Sequence, residues 1–121
     1  MCAHVNPKDM TPVELRREEA TLKALNIVRA GRDLFERMTI DLNTYEPGGG
    51  HKPNTHPEIE HVYYVVEGVM RAVVAEREYL VHPGEFVCIP RNTYHWHENA
   101  GEGRMTHILI SAYLGDSKKG A

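Results

Sequence analysis

P-G-G-G-H-K-P-N-T-H-P-E-I-E-H-V-Y-Y-V-V-E-G, residues 47–68, and its companion H-P-G-E-F-V-C-I-P-R-N-T-Y-H-W-H-E-N, residues 82–99, hold six of the eight histidines of this chain. In both, glycine and proline punctuate runs of β-prone residues, so each reads as strands joined by tight turns. Side chains two apart on a strand share a face, so Asn54 and His56 point together into a barrel, and a bulge or turn at Pro57 brings His61 to the same side. His95 enters from a distant strand. Imidazoles converging from separate strands of a small barrel hold a divalent first-row metal while leaving positions open to substrate or water. Glycines 48, 68 and 84 allow the turns that aim these strands.

Outward from these stretches the texture stays β-like. Short runs at Leu34–Leu42, His61–Val66, Met70–Ala75, Glu78–Val81, Glu85–Ile89 and Met105–Tyr113 are separated by Gly, Pro and Asn, the pattern of an all-β barrel or sandwich. No helical pattern lies between them, which excludes βαβ units and a Rossmann crossover. Upstream, Thr11, Pro12 and Glu14 form a helix start, with a Thr cap, Pro in the first turn and Glu three residues on. Ala20, Leu22, Ala24, Leu25 and Val28 give a rough apolar face ending at Gly31. Leu25 to Val28 fits a first strand equally well. The expected organisation is an N-terminal arm and helix over 1–32, the barrel over 33–115, and a loose tail over 116–121.

Composition narrows the function. One domain is expected from 121 residues at 41% hydrophobic content, enough to bury a core without staples. A net charge of −3, with Lys and Arg scattered, argues against nucleic acid or an anionic membrane as partner. The two cysteines, Cys2 and Cys88, make neither CxxC nor a disulfide framework. Cys88, among apolar neighbours, reads as a buried thiol. Residues 1–10 lack a signal-type apolar run and no window approaches the ~20 apolar residues of a membrane span, so a cytoplasmic location is expected. A phosphate loop, a nucleophile elbow and HExxH are all missing from the sequence, which leaves nucleotide binding and serine hydrolysis unsupported.

The two stretches resemble the paired motifs of the cupin superfamily. Gly48, Asn54, His56, His61 and Gly68 fall on the first motif (Gly, five residues, His-x-His, three or four residues, Glu, six residues, Gly). Gly84, Pro90, Asn92, His95 and Asn99 fall on the second (Gly, five residues, Pro-x-Gly, two residues, His, three residues, Asn), and 15 residues separate the motifs. The resemblance implies a small RmlC-like jelly roll, a double-stranded β-helix closed into a barrel, and a homodimer. Three positions depart from the pattern. Asn54 stands for the first His, His61 for the Glu, and Asn92 for a Gly. The last is mild, since Asn tolerates left-handed backbone. The others change the chemistry: His56, His61 and His95 become a three-His set, with Asn54 as a weak carbonyl ligand or a hydrogen-bonding group. With no carboxylate, a bound dication keeps its full charge, which favours an anionic or chelating oxygen substrate. This pattern is similar to the three-His cupins that oxygenate β-diketones or thiols.

The expected activity is therefore a metal-dependent enzyme acting on a small oxygenated metabolite such as a diketone, keto acid or sugar acid, with one Fe, Mn, Ni or Zn ion. Iron implies a dioxygenase. Zinc, manganese or nickel implies carbonyl polarisation for isomerase or lyase chemistry, with Tyr63 or His97 moving the proton. The alternative is a non-catalytic cupin that binds or senses a small ligand. Tyr63, at strand period from His61, lines the cavity, and His97 shares the inward face with His95. His51 reads as a solvated loop residue that replaces the missing ligand if the glycine loop folds back. His107 reads equally as a core or a pocket residue, and His82 and His4 as exposed. Trp96 faces away from the metal, and Glu58 and Glu60, which flank His56, read as solvated, the alternative being that one of them supplies the carboxylate the motif lacks.

Overall fold

The computed structural model describes residues 3–13, 20–32 and 34–115. Among these, a 3-10 turn at Pro7–Asp9 precedes nine strands: β1 (Thr21–Val28), β2 (Met38–Tyr45), β3 (Gly50–Asn54), β4 (Ile59–Glu67), β5 (Met70–Val74), β6 (Arg77–Val81), β7 (Phe86–Ile89), β8 (His95–Asn99) and β9 (Met105–Tyr113). They form two sheets, in the orders β1-β2-β9-β4-β7 and β3-β8-β5-β6. Every pairing is antiparallel. This is the all-β jelly roll the motifs imply.

Strand periodicity decides which side chains face the interior. On β4 the inward set is His61, Tyr63 and Val65, and on β8 it is His95, His97 and Asn99. On β9, Met105, His107, Ser111 and Tyr113 are buried. An apolar core of Val65, Met70, Ala72, Val81, Val87, Ile89 and Met105, joined by Tyr45 and Tyr63, closes part of the barrel. From Val65 back to His61 along β4 the interior turns polar, and that is where the site lies. Two glycines permit the close approaches. A side chain at Gly68 (φ +81°) would strike the Arg104 carbonyl oxygen, and one at Gly50 would strike that of His97, so β3 lies against β8 only because position 50 has no Cβ. Asn92, with φ +57°, bears the left-handed turn expected of it.

Three expectations are corrected. Over the described part of the expected N-terminal helix the chain is extended: residues 21–28 are strand β1, paired with β2, and the 3-10 turn is the only helical element among the described residues. Leu25 and Val28, three apart, are both buried because the β1/β2 register shifts between Asn26 and Val28. A bulge thereby imitates helical spacing. At the proposed helix start, the Val13 N–H donates to the Ala24 carbonyl at 2.9 Å, so the chain there runs beside β1. Glu14, its third element, and the tail over 116–121 lie outside the described residues. Second, Cys88 is exposed rather than buried, because β7 turns Val87 and Ile89 inward and presents the alternate residues, Phe86 and Cys88, to solvent. The strand expected at 34–42 begins instead at Met38, with Leu34 and Phe35 exposed.

Candidate metal centre

Three imidazoles meet inside the barrel. One nitrogen from each of His56, His61 and His95 lies within 4.8 Å of the others, and the ring centroids are 5.0, 5.5 and 5.5 Å apart. Each reaches the cluster by a different route. His61 projects from β4 and is paired in register with Ser111 of β9. His95 opens β8. His56 stands beyond the end of β3, in the loop before β4, and its carbonyl accepts the Asn92 N–H at 2.7 Å. That bond ties the first motif to the turn of the second.

Hydrogen bonds fix which nitrogens face the cluster. His95 Nδ1 is 2.8 Å from the Thr93 carbonyl oxygen. A carbonyl only accepts, so Nδ1 carries the proton and Nε2 keeps its lone pair. His61 Nδ1 is 2.9 Å from Ser111 Oγ, while its Nε2 is buried without a hydrogen-bond partner. With Ser111 accepting from Nδ1–H, Nε2 is left with a lone pair free for a cation, and partners that orient the far nitrogen are a regular feature of metal-bound histidine. Electrostatics agree. Burial, then the proximity of His95 and His51, lowers the His56 pKa. Burial, then His56 and His95, brings His61 from 6.5 to about 3. His95 is lowered by burial against the opposing Thr93 bond. All three are neutral ligands near pH 7, and the cluster contains no carboxylate. The donor set fits a divalent transition metal.

The cluster opens on a cavity of about 280 Å³, below the ~300–1,000 Å³ range of drug-sized pockets, so its ligand is small. Tyr63 and His97 line it, as expected. His97 is 3% exposed and stands opposite His51 of β3. The two rings stack at 5.9 Å and 15°. His51 is thus a half-buried cavity residue on a strand, not a solvated loop residue, with Nδ1 bonded to the Lys52 carbonyl. His107, fully buried, resolves as a cavity residue too, with Asn43 and Met105 Sδ as its polar neighbours. Asn54 is exposed and outside the cavity lining, and its Oδ1 accepts the Thr55 N–H at 2.7 Å. Trp96 occupies the opposite face of β8 from His95 and His97. Asn99, the last motif position, is structural: its amide donates to the Gly103 carbonyl at 2.8 Å and accepts from Gly101 N–H at 2.9 Å.

Three contributors went unseen in sequence. The β9 alternation from His107 gives the inward face of Ser111, but its place beside His61 depends on the β4/β9 register. Arg29 and Asp41 form a part-buried ion pair on the cavity wall; the helix reading of residues 11–31 hid Arg29, and Asp41 meets it only through the β1/β2 pairing. Burial raises the Asp41 carboxyl and Arg29 opposes this by hydrogen bond and charge.

Burial also sets a pH response. His107 is brought to about 3, chiefly by desolvation, from 6.5 in the unfolded chain. Between those values the unfolded state binds the extra proton, so stability is intact above pH 6.5 and falls as pH drops toward 3, at up to about 1.4 kcal/mol per pH unit for each such histidine. Denaturant titrations of chelator-treated protein between pH 7 and 5 are expected to show this decline, with a shallower slope in His107→Gln. A slope unchanged in that variant would contradict the assignment.

A small antiparallel jelly roll that encloses a cluster of imidazoles is the architecture of a cupin. The family described as "Cupin domain" matches residues 42–111, and this chain belongs to it. Among curated proteins it is similar to germin-like protein subfamily 1 member 4 of Arabidopsis thaliana, 30% identical over 85 residues. That match covers 62% of this chain and 37% of the relative, so the chain spans little more than a third of the relative's length. Among solved structures, a predicted oxalate decarboxylase from Thermotoga maritima superposes with TM-score 0.81 at 13% identity, covering 92% of this chain and 99% of that one. KdgF from Halomonas sp. superposes with TM-score 0.79 at 14% identity, covering 96% and 97%. At these identities the likeness is one of fold.

Proposed function

We propose that this cupin is a metal-dependent enzyme acting on a small anionic oxygenated metabolite, with His56, His61 and His95 holding one Fe, Mn, Ni or Zn ion. The observation that supports the reading is the convergence of three imidazoles, one nitrogen from each of His56, His61 and His95 lying within 4.8 Å of the others. A divalent ion bound there supplies Lewis-acid polarisation of a substrate oxygen and, in the case of iron, a redox partner for O2. The chain's own groups do the rest. Three neutral imidazoles leave the ion's charge uncompensated, and Arg29 and Asp41 offset one another, so the cavity attracts an anion. Tyr63 and His97 wall the cavity beside the cluster, where each is placed to pass a proton to or from the bound substrate. The name of one structural relative, a predicted oxalate decarboxylase, is compatible with a small carboxylate substrate.

The test is turnover by protein loaded separately with each of the four metals, assayed on a panel of 1,3-dicarbonyls, 2-oxo acids and sugar acids. Oxygen uptake reports dioxygenase chemistry, and proton NMR of the products reports isomerase or lyase chemistry. The expected result is turnover that requires added metal and disappears in His95→Ala. Stoichiometric metal with tight binding of these acids and no turnover would identify a ligand-binding cupin instead.

A further inference from the structure

His97 is a cavity residue with both ring nitrogens left unused by the fold. His97 is 3% exposed, and both Nδ1 and Nε2 are buried without a hydrogen-bond partner. His107, equally buried and 5.3 Å away by ring centroid, differs: it has Asn43 beside one nitrogen and Met105 Sδ beside the other. The neighbours of His97 meet it through their rings, Tyr63 at 4.7 Å, Tyr45 at 5.7 Å and His51 at 5.9 Å. A neutral imidazole carries one N–H and one lone pair. Burying both unpaired is costly, and native proteins seldom do so without a ligand or water to pair them.

We propose that His97 forms a second subsite of the cavity, which binds hydroxyl groups of a hydroxylated small carboxylic acid whose carboxylate end lies at the three-histidine cluster. This deepens the reading above and rests on it for the position of the carboxylate. The chemistry of His97 selects the class. A carboxylate only accepts, so it pairs the N–H and leaves the lone pair unmatched, and a hydrocarbon tail pairs neither. A chain bearing neighbouring hydroxyls both donates and accepts, and so answers both nitrogens. Geometry sets the span. His95 and His97 are successive inward residues of β8, about 7 Å apart along a strand, so the hydroxyls lie several bonds from the carboxylate. Oxalate is too short, a longer dicarboxylate only accepts at its far end, and an alkyl diketone has no donor.

The experiment is calorimetry on zinc-loaded protein with two probe acids, threonate (2,3,4-trihydroxybutanoate) and 2-hydroxybutanoate. They share the carboxylate and 2-hydroxyl and differ in the two further hydroxyls. Wild type is expected to bind threonate at least about tenfold more tightly. In His97→Phe the two affinities converge, with one zinc still bound. His97→Gln, which keeps a donor and an acceptor, retains part of the preference. Equal affinities in wild type, or a preference that survives in His97→Phe, would overturn the proposal. If wild type takes up no zinc, the metal reading fails separately. The subsite is then judged in metal-free protein by long-range 1H–15N NMR. His97 nitrogen shifts induced by threonate and not by 2-hydroxybutanoate support it, and their absence overturns it.

Discussion

His95→Ala is expected to lower zinc or nickel affinity by more than about 100-fold, since even changes in groups that merely orient a ligand cost about 10- to 100-fold. Purified wild type should carry close to one equivalent of a divalent ion by elemental analysis, and His95→Ala close to none. Among the described residues the cluster has three imidazoles within 4.8 Å and no carboxylate, and Asn54 is turned to the Thr55 N–H. His56→Ala should behave alike. The fold should survive both changes, because neither His56 nor His95 belongs to the apolar core. Near-native affinity in both variants would mean that any bound metal lies elsewhere.

The second large effect is expected from His61→Glu, which returns the carboxylate of the family's first motif to this position. Metal should bind at least as tightly, because an anionic oxygen replaces a neutral nitrogen. Anions should bind worse. A new negative charge about 5 Å from a bound anion opposes it by about 3 kcal/mol at an effective dielectric constant near 20, and solvent in the cavity reduces this. A loss of at least about tenfold in oxalate affinity for the zinc-loaded protein is therefore expected. Unchanged oxalate affinity would show that the uncompensated charge of a three-histidine site does not govern what enters the cavity.

How far the sequence revealed this molecule depended on whether a feature was local. Met105–Tyr113 was legible as a strand with the bounds it has in the structure, because Gly103 and Gly115 flank an uninterrupted β-prone run. His61, Tyr63, His95 and His97 were legible from strand period within the two motifs. β1 was legible only in part: Leu25 to Val28 fitted a first strand as well as a helix, and the register shift at Asn26/Val28 depends on Asp41 and Ile40 of β2, whose pairing no local pattern reports. His56 was placed on the right side for an incomplete reason: strand period from Asn54 predicted it, yet it sits in the loop, held by Asn92. His51 was misread because the glycines before it suggested a loop, whereas Gly50 is what allows β3 to pack on β8. Cys88 was misjudged from its neighbours, since on an edge strand every second residue of an apolar run faces solvent. The Ser111 and Thr93 bonds that lock the imidazoles depend on register and on one backbone carbonyl, and neither is written in spacing.

The central claim is that His56, His61 and His95 share one cation. X-ray absorption at the zinc edge of stoichiometrically loaded protein tests it directly, with three imidazole nitrogens expected at about 2.0–2.1 Å and two of them remaining in whatever zinc His95→Ala retains at high metal concentration. A spectrum showing fewer than two imidazoles in the wild type, or one unaltered by that substitution, would contradict it.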